Sequence, residues 1–279
     1  MKISVVTPSY NQGWALERTI RSVLAQDCPH VEYIIVDGGS TDNSLDIIKK
    51  YEKHLAYWVS EPDRGQSHAI NRGFERATGD IFCWLNSDDF FAPNALIKII
   101  NGFEKNPSVD VITAGWISYY SNHDNFVFAR AGGLGLKPNK MLFFGSGALL
   151  GQHSTFWKKD VWIKSGGLNE SYHYAMDHDL FCRFFVGGAK FKIINDYVAF
   201  FTLYDGQKSA DVSRYAEESR RAKANIIGNH FFYNSNLNYL LVKFIRNILK
   251  HRDTHPSIGL TNPEPDFNTQ DWLNHLQVS

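Results

Sequence analysis

The chain has 279 residues, of which 43% are hydrophobic and 21% are charged. This length suits one large folded domain, or one domain with an appendage, and needs no disulfide or structural metal for stability. The 29 basic and 29 acidic residues balance, which excludes a domain that binds nucleic acid through its overall positive charge.

The first hundred residues alternate short apolar runs with helical patterns. Strands are predicted at 3–7, 33–36, 57–60 and 80–85, and helices are predicted at 14–26, 40–51 and 66–77. Such alternation is typical of an α/β fold with a Rossmann-like, mostly parallel central sheet that is flanked by helices. Ligands of such sheets bind beyond the carboxyl ends of the strands.

The pattern is less regular after residue 105. Strands are predicted near 109–117, 126–130 and 190–203, helices near 158–164 and 177–187, and further helix from 210 to Arg252. We therefore expect a domain over 1–209, with halves at about 1–105 and 106–209, and a C-terminal helical extension with a tail over 210–279. No apolar run approaches the 18 residues of a membrane span, and the N-terminal run is too short for a signal peptide.

The cysteines, Cys28, Cys83 and Cys182, are widely spaced and odd in number. They fit neither a disulfide framework nor a CxxC zinc site, and they predict a reducing, cytoplasmic setting.

Polar residues cluster at the ends of three predicted strands. The clusters are 7–11 (TPSYN), 37–42 (DGGSTD) and 86–89 (NSDD). Because the carboxyl ends of parallel strands meet at one edge of a sheet, we expect the three clusters to lie together.

Two adjacent acids, Asp88 and Asp89, end the cluster 86–89, which directly follows the fourth predicted strand. Neighbouring carboxylates repel each other unless a cation lies between them. Mg²⁺ or Mn²⁺ is commonly held by one or two carboxylates together with substrate phosphates. The alternative is that both acids only cap a helix that starts near Pro93.

Two further loops hold charged residues beside glycine. Asp37 precedes Gly38 and Gly39, where backbone can approach a ligand closely and the acid can accept a hydrogen bond from a base imide or a ribose hydroxyl. Arg64 follows Asp63, and it could meet a phosphate or hold Asp63 in place. The alternatives are a tight strand-to-helix turn at Asp37 and a solvated loop at Asp63.

An acidic pair, Asp177 and Asp179, opens a predicted helix in an aromatic neighbourhood. Partial burial there would raise the pKa of an acid towards the range of a general base. The alternative is that the pair only favours the N-terminus of the helix through its dipole.

Over residues 2–209 the chain resembles the family-two inverting glycosyltransferases. The matching segments are 4–11 (SVVTPSYN), 22–26 (SVLAQ), 32–42 (EYIIVDGGSTD), 60–65 (SEPDRG), 69–73 (AINRG), 77–80 (ATGD), 85–89 (LNSDD), 153–156 (HSTF), 166–170 (GGLNE) and 177–180 (DHDL). The resemblance implies a GT-A fold and transfer of a sugar from a nucleotide-sugar, most readily a UDP-sugar, to a glycan or lipid-linked hydroxyl acceptor with Mg²⁺ or Mn²⁺.

The resemblance also implies roles for individual residues. Thr7, Pro8 and Tyr10 would line the nucleoside site, Asp37 would contact the base, and Asp63 and Arg64 would lie near the sugar and diphosphate. Asp88 would be the metal-binding acid of a DxD motif with Asp89 beside it, and Asp177 would be the general base. Asn86, at the first position of the motif, would also be among the donor-binding residues.

Three residues depart from the family pattern. Asn86 replaces the first acid of the DxD motif, Met176 stands before the base where an acid is common, and Asn169 replaces a common Asp. Asn86 and Met176 keep a second hypothesis open, a catalytically silent protein that binds nucleotide-sugars. The processive members carry a QxxRW motif and membrane spans, and this sequence predicts addition of single sugars instead.

A basic amphipathic helix is predicted at 237–252. It could rest on an anionic membrane at the inner face, where a lipid-linked acceptor would be found, or it could pack on the catalytic domain. The sequence leaves both interpretations open.

Overall fold

The computed structural model describes residues 1–120, 125–129 and 150–227. Its strands are β1 (Ile3–Ser9), β2 (Val31–Asp37), β3 (Tyr57–Ser60), β4 (Ile81–Trp84), β5 (Phe90–Phe91), β6 (Val111–Tyr120), β7 (Asn125–Ala129), β8 (Thr155–Lys158) and β9 (Phe191–Leu203). Its helices are α1 (Gly13–Leu24), α2 (Ser44–Tyr51), α3 (Gln66–Arg76), α4 (Ala95–Glu104), α5 (Lys159–Ser165), α6 (Met176–Val186) and α7 (Val212–Ile227).

The strands of the described residues form one sheet in the order β3-β2-β1-β4-β8-β6-β9-β5, and β7 pairs with β6. The first four strands along this order are parallel to one another. In the other half β6 and β9 are parallel, whereas β8, β5 and β7 pair antiparallel with their neighbours. The predicted α/β class is confirmed, with a parallel first half and a mixed second half.

The sheet separates two hydrophobic layers. On one face α1, α2 and α4 cover strand side chains such as Val5, Ile35 and Cys83, and on the other face α3, α5 and α6 cover Trp84 and Trp157. Every residue of β1 and β4 is buried. Parallel strands covered on both faces read as continuous apolar runs, which is why these strands were predictable.

A glycine brings α3 close to β1. A β-carbon built on Gly73 would lie 2.4 Å from Cγ1 of Val6. The lack of a side chain therefore lets the helix pack directly on the strand. This packing places the first residues of α3, Gln66 and Ser67, beside the carboxyl ends of the parallel strands.

The second helix starts later than predicted. The pattern predicted helix from 40, but α2 begins at Ser44. The preceding residues form a turn in which Asp42 accepts hydrogen bonds from Ser44 N (2.9 Å) and Gly13 N (2.8 Å). The short strands β5 and β8 were not predicted; they pair antiparallel with strands that are distant in the chain.

The last described helix, α7, packs on α6. Glu218 of α7 accepts hydrogen bonds from the backbone N–H groups of His173 (3.1 Å), Tyr174 (2.6 Å) and Ala175 (3.0 Å), which immediately precede α6. The predicted boundary at 209 stays a prediction, and the helix predicted at 237–252 lies outside the described residues. None of the described helices combines the length and the apolar character that crossing a bilayer requires.

Candidate active site

The polar ends of β1 and β2 meet at one edge of the sheet, as the parallel order requires. Gly38 N donates to Ser9 O (2.8 Å). Asn11, in the left-handed region at φ 52°, accepts from Thr41 N through Oδ1 (2.8 Å) and donates its own N–H to Ser40 Oγ (2.8 Å). Two of the three predicted clusters are therefore joined by direct hydrogen bonds.

The third cluster joins them through Asp88. Its Oδ2 atom accepts hydrogen bonds from Gln12 Nε2 (3.1 Å) and from the Tyr204 hydroxyl (2.9 Å). Burial raises the pKa of this carboxyl, and the hydrogen bonds from Tyr204 and Gln12 act in the opposite direction. Asp88 remains partly exposed at this edge of the sheet.

Asp89 faces the interior instead. It is fully buried, and its Oδ1 atom accepts a hydrogen bond from Thr202 N on β9 (2.9 Å). Burial, and then the charge of Asp88, raises the pKa of Asp89 well above its ordinary value. The two adjacent acids, which were predicted to form one metal site, therefore have different surroundings.

A half-buried cation that the sequence analysis missed lies beside both acids. The guanidinium of Arg18 donates to Asp88 O (3.2 Å) and Thr202 Oγ1 (3.1 Å), and it lies 4.5 Å from the ring centre of Phe90. Burial lowers the pKa of Arg18, whereas Asp88 and Asp89 are among the neighbours that raise it. The available signal was its spacing, since Arg18 follows the buried Ala15 by one helical turn.

Asn86 connects the acidic loop with α3 and with the segment after β9. Its Oδ1 atom accepts from Gln66 Nε2 (2.8 Å), and Gln66 Oε1 accepts from Lys208 Nζ (2.9 Å). On its other side Asn86 Nδ2 donates to Gln152 Oε1 (3.3 Å). The amide that replaces the first acid of the motif therefore uses both of its polar atoms within the site.

Asp177 lies at the start of α6 and is half-buried. Its neighbour Met176 accepts a hydrogen bond at Sδ from Ser67 Oγ (2.9 Å). Burial raises the pKa of Asp177, while the positive charge of Lys208 lowers it. Asp179, by contrast, is ion-paired with Arg183 (2.6 Å) on its own helix.

The acid at the end of β2 is fully enclosed. Asp37 is 0% exposed, and its oxygens accept hydrogen bonds from Gly39 N (3.2 Å), Ser40 N (2.9 Å), Ser40 Oγ (2.5 Å) and Ser60 Oγ (2.7 Å). These bonds hold the turn together. They leave the carboxylate of Asp37 facing the turn and not the open edge.

The two charged residues after β3 point in different directions. Asp63 accepts a hydrogen bond at Oδ1 from Gly65 N (2.7 Å), and its carboxylate lies against Gly38. Arg64 pairs on the outside with Glu170 through Nε (3.0 Å) and Nη2 (2.8 Å). The structure therefore brings Asp63, but not the guanidinium of Arg64, against the end of β2.

The residues of the β1 turn also differ in exposure. Thr7 is buried, and its hydroxyl lies 3.1 Å from the hydroxyl of Tyr33 on β2. Pro8 is also buried, near the end of β1. Tyr10 is 63% exposed, so its ring is free to pack on a ligand. Of the three predicted lining residues, Tyr10 is the one with an open surface.

No cluster of three or more His, Cys, Asp or Glu residues in the described part of the chain could hold a metal by itself. Mg²⁺ and Mn²⁺ do not require such a cluster, because substrate phosphates and water complete their coordination. A single half-buried carboxylate at the open edge, as at Asp88, fits an ion that arrives with a diphosphate.

Two solved structures share this architecture. The chain is similar to S. aureus TarS in complex with UDP-GlcNAc, with a TM-score of 0.65 at 18% identity over 90% of this chain and 72% of that chain. It is also similar to the mannosyltransferase PcManGT of Pyrobaculum calidifontis in complex with GDP-Man and Mn²⁺, with a TM-score of 0.63 at 17% identity over 89% and 69%. The fold is that of a GT-A glycosyltransferase.

Residues 4–159 match the family model described as glycosyl transferase family 2. An uncharacterised glycosyltransferase of Mycobacterium tuberculosis is 30% identical over 188 residues, which are 65% of this chain and 68% of the relative. The chain belongs to glycosyl transferase family 2, and it is an enzyme of that class.

Two further relatives match over shorter regions. An uncharacterised glycosyltransferase of Nostoc sp. is 39% identical over 115 residues, which are 40% of this chain and 36% of the relative. The poly-β-1,6-N-acetyl-D-glucosamine synthase of Staphylococcus epidermidis is 31% identical over 113 residues, which are 40% of this chain and 27% of the synthase. The chain thus matches only about a third of the length of these two proteins.

Proposed function

We propose that this enzyme transfers single sugars, with inversion, from a UDP- or dTDP-linked donor to a hydroxyl acceptor, using Mg²⁺ or Mn²⁺. The bound UDP-GlcNAc of TarS and the bound GDP-Man and Mn²⁺ of PcManGT support a nucleotide-sugar donor and a divalent ion. The donor diphosphate would lie at the edge where Asp88 and Asn86 emerge, since ligands of such sheets bind beyond the strand ends.

One observation carries the proposal: consecutive residues of α3 link the acidic loop to the region of Asp177. Gln66 donates to Asn86, two residues before Asp88, and Ser67 donates to Met176, directly before Asp177. We infer from these contacts that the two carboxylates border a common cleft on either side of the start of α3. In-line displacement requires such an arrangement, with the base and the departing diphosphate on opposite sides of the anomeric carbon.

Asp88 is the residue that would hold the metal. Asp89 would position Asp88, because it accepts a hydrogen bond from Thr202 N of β9. A divalent ion held there would offset the negative charge that develops as the diphosphate leaves. Lys208, which interacts electrostatically with Asp177 and contacts Gln66, adds positive charge to the same cleft.

Asp177 would act as the general base. Its carboxylate takes the proton of the acceptor hydroxyl while the hydroxyl oxygen bonds to the anomeric carbon and the bond from that carbon to the diphosphate oxygen breaks. The raised pKa of Asp177 makes it a stronger base than an exposed aspartate, and the charge of Lys208 favours the ionised form that catalysis needs.

The setting is proposed from the relatives. The match to a polysaccharide synthase supports a role in cell-surface polysaccharide or glycolipid synthesis, with a glycan or lipid-linked acceptor. The enzyme would work on the cytoplasmic side, with peripheral membrane contact through the segment 237–252.

The test is a screen of UDP-, dTDP-, GDP- and CDP-linked sugars for thermal stabilisation in the presence of Mn²⁺, because a ligand that binds the native state raises its melting temperature. The donor that stabilises most is then offered with acceptors, and the anomeric configuration of the product is read by NMR. We expect a Mn²⁺-dependent shift and an inverted product. A retained configuration contradicts the mechanism, and binding without any turnover of donor favours the silent nucleotide-sugar-binding protein.

A further inference from the structure

The carboxylate of Asp63 occupies the space in which residue 38 would carry a side chain. A β-carbon on Gly38 would lie 2.9 Å from Oδ2 of Asp63 and 3.2 Å from its Cγ. Gly38 is not among the residues with positive φ, so the backbone does not require glycine there. What the glycine provides at this position is room for the acid of the neighbouring loop.

The other acids at this corner of the sheet are already engaged. Asp37 accepts hydrogen bonds from Gly39, Ser40 and Ser60. Glu61 pairs with Arg72 (2.9 Å). Asp63 is anchored at Oδ1 by Gly65 N, and within the described residues no hydrogen bond is recorded at its Oδ2 atom. Asp63 is also the acid whose carboxylate lies against the end of β2, whereas Glu61 is exposed, so Asp63 is the one placed to offer an oxygen to a ligand there.

The order of the strands gives the distance of this corner from the diphosphate. Asp88 follows β4, Gly38 follows β2 and Asp63 follows β3, and the strands lie side by side as β3-β2-β1-β4. With neighbouring strands about 4.8 Å apart, Gly38 lies roughly 10 Å from the acidic loop, across β1. A nucleotide whose diphosphate is at Asp88 reaches this corner with its base, not with its sugar or phosphates.

We propose that Asp63, seated over Gly38, recognises the base of the donor by accepting the ring N–H of uracil, thymine or guanine. The inference rests on the proposed nucleotide-sugar function and assigns its base site. It gives Asp63 a place at the base end of the donor and gives Asp37 the role of holding the turn. A carboxylate also rejects cytosine and adenine, whose corresponding ring nitrogen presents a lone pair in place of a proton.

The test compares UDP with CDP, which are of nearly equal size, by calorimetry in the presence of Mn²⁺. Wild type is expected to bind UDP more tightly by roughly tenfold or more, the usual effect of one hydrogen bond to a charged group. In Asp63→Ala the ratio of the two affinities falls towards one. In Asp63→Asn the affinity for CDP rises, because the amide can turn its N–H groups towards the ring nitrogen. Should the enzyme bind guanine nucleotides, the same comparison uses GDP and ADP.

Two further variants make the result specific. Gly38→Ala keeps the side chain of Asp63 but puts a methyl group into the space of its carboxylate, which must move. The ratio of UDP to CDP affinity is therefore expected to fall in this variant too. Asp46→Ala removes an exposed acid of α2 and keeps the wild-type ratio. The affinities for UDP and CDP are compared within one variant. A misfolded fraction would affect both measurements alike, so it would not change their ratio.

A wild-type ratio in Asp63→Ala overturns this inference while leaving the proposed function intact. Absence of binding by any nucleoside diphosphate overturns both.

Discussion

Asp88 and Asp89 are neighbours in the chain, yet they have different surroundings. Asp88 shares its carboxylate with the side chains of Gln12 and Tyr204 at the open edge. Asp89 is enclosed and accepts the backbone N–H of Thr202. Asp88 lies in the turn that follows β4, whereas Asp89 directly precedes β5, whose pairing with β9 brings it beside Thr202. Removing each carboxylate should therefore affect a different property.

Asp88→Ala is expected to abolish the enhancement of nucleotide binding by Mn²⁺ with little change in stability. Asp89→Ala is expected to lower the free energy of unfolding by roughly 1–3 kcal/mol, because it leaves a buried backbone N–H without an acceptor. Calorimetry and urea unfolding measure the two effects. The assignment is contradicted if Asp89→Ala is as stable as wild type and it, not Asp88→Ala, loses the effect of Mn²⁺.

The environment of Asp177 predicts how activity depends on pH. Burial raises its pKa above the ordinary 3.8, and Lys208 limits the increase. Since the base must be ionised, kcat/KM should fall as the pH drops below the pKa of Asp177. Lys208→Met removes the nearby positive charge and should move this acidic limb to higher pH, whereas Lys208→Arg should not. If Lys208→Met leaves the acidic limb of the pH profile unchanged, the charge of Lys208 does not influence the pKa of the base.

At the scale of elements, the contacts that hold the site together come from distant parts of the chain. The strand ends at 7–11, 37–42 and 86–89 could be located from the sequence, because β1, β2 and β4 have continuous apolar patterns. Their partners could not, since Tyr204 and Thr202 come from the end of β9, more than a hundred residues after Asp88. The enclosure of Asp37 was equally unpredictable, because it depends on Ser60 of the neighbouring strand β3.

Glu32 shows how the parallel strands are fastened at the opposite edge. It accepts hydrogen bonds from Lys2 Nζ (2.6 Å), Ser4 Oγ (2.6 Å), Thr78 N (2.7 Å) and Thr78 Oγ1 (2.7 Å), and so joins β1, β2 and the segment before β4. Burial works against its ionisation, but these hydrogen bonds outweigh burial and lower the pKa of Glu32 from 4.5 to about 2.

Glu32→Gln should therefore lower the free energy of unfolding at pH 7 by roughly 2–3 kcal/mol. The folded-state pKa lies below the unfolded value, so the contribution is complete above pH 4.5 and is lost as the pH falls towards 2. Urea unfolding as a function of pH measures it. A constant difference between variant and wild type across this range would contradict the ionic origin of the effect.

At the scale of the whole molecule, the sheet order arranges the proposed steps of the reaction in space. In the proposed mechanism, base recognition would lie at β2 and β3, the metal and diphosphate at β4, and the general base at α6, across the start of α3. The helix α7 belongs to this arrangement, because Glu218 holds the backbone that leads into α6. A chain cut at the predicted boundary of 209 would lack this contact.

The claim on which this arrangement depends is that Asp177 acts on the acceptor and not on the donor. The direct measurement compares nucleotide binding and sugar transfer in Asp177→Asn, with the exposed Asp160→Asn as the control. We predict that Asp177→Asn binds UDP with Mn²⁺ as wild type does while its transfer rate falls by on the order of 100-fold or more. Near-normal transfer by this variant, or loss of its nucleotide binding, would contradict the account.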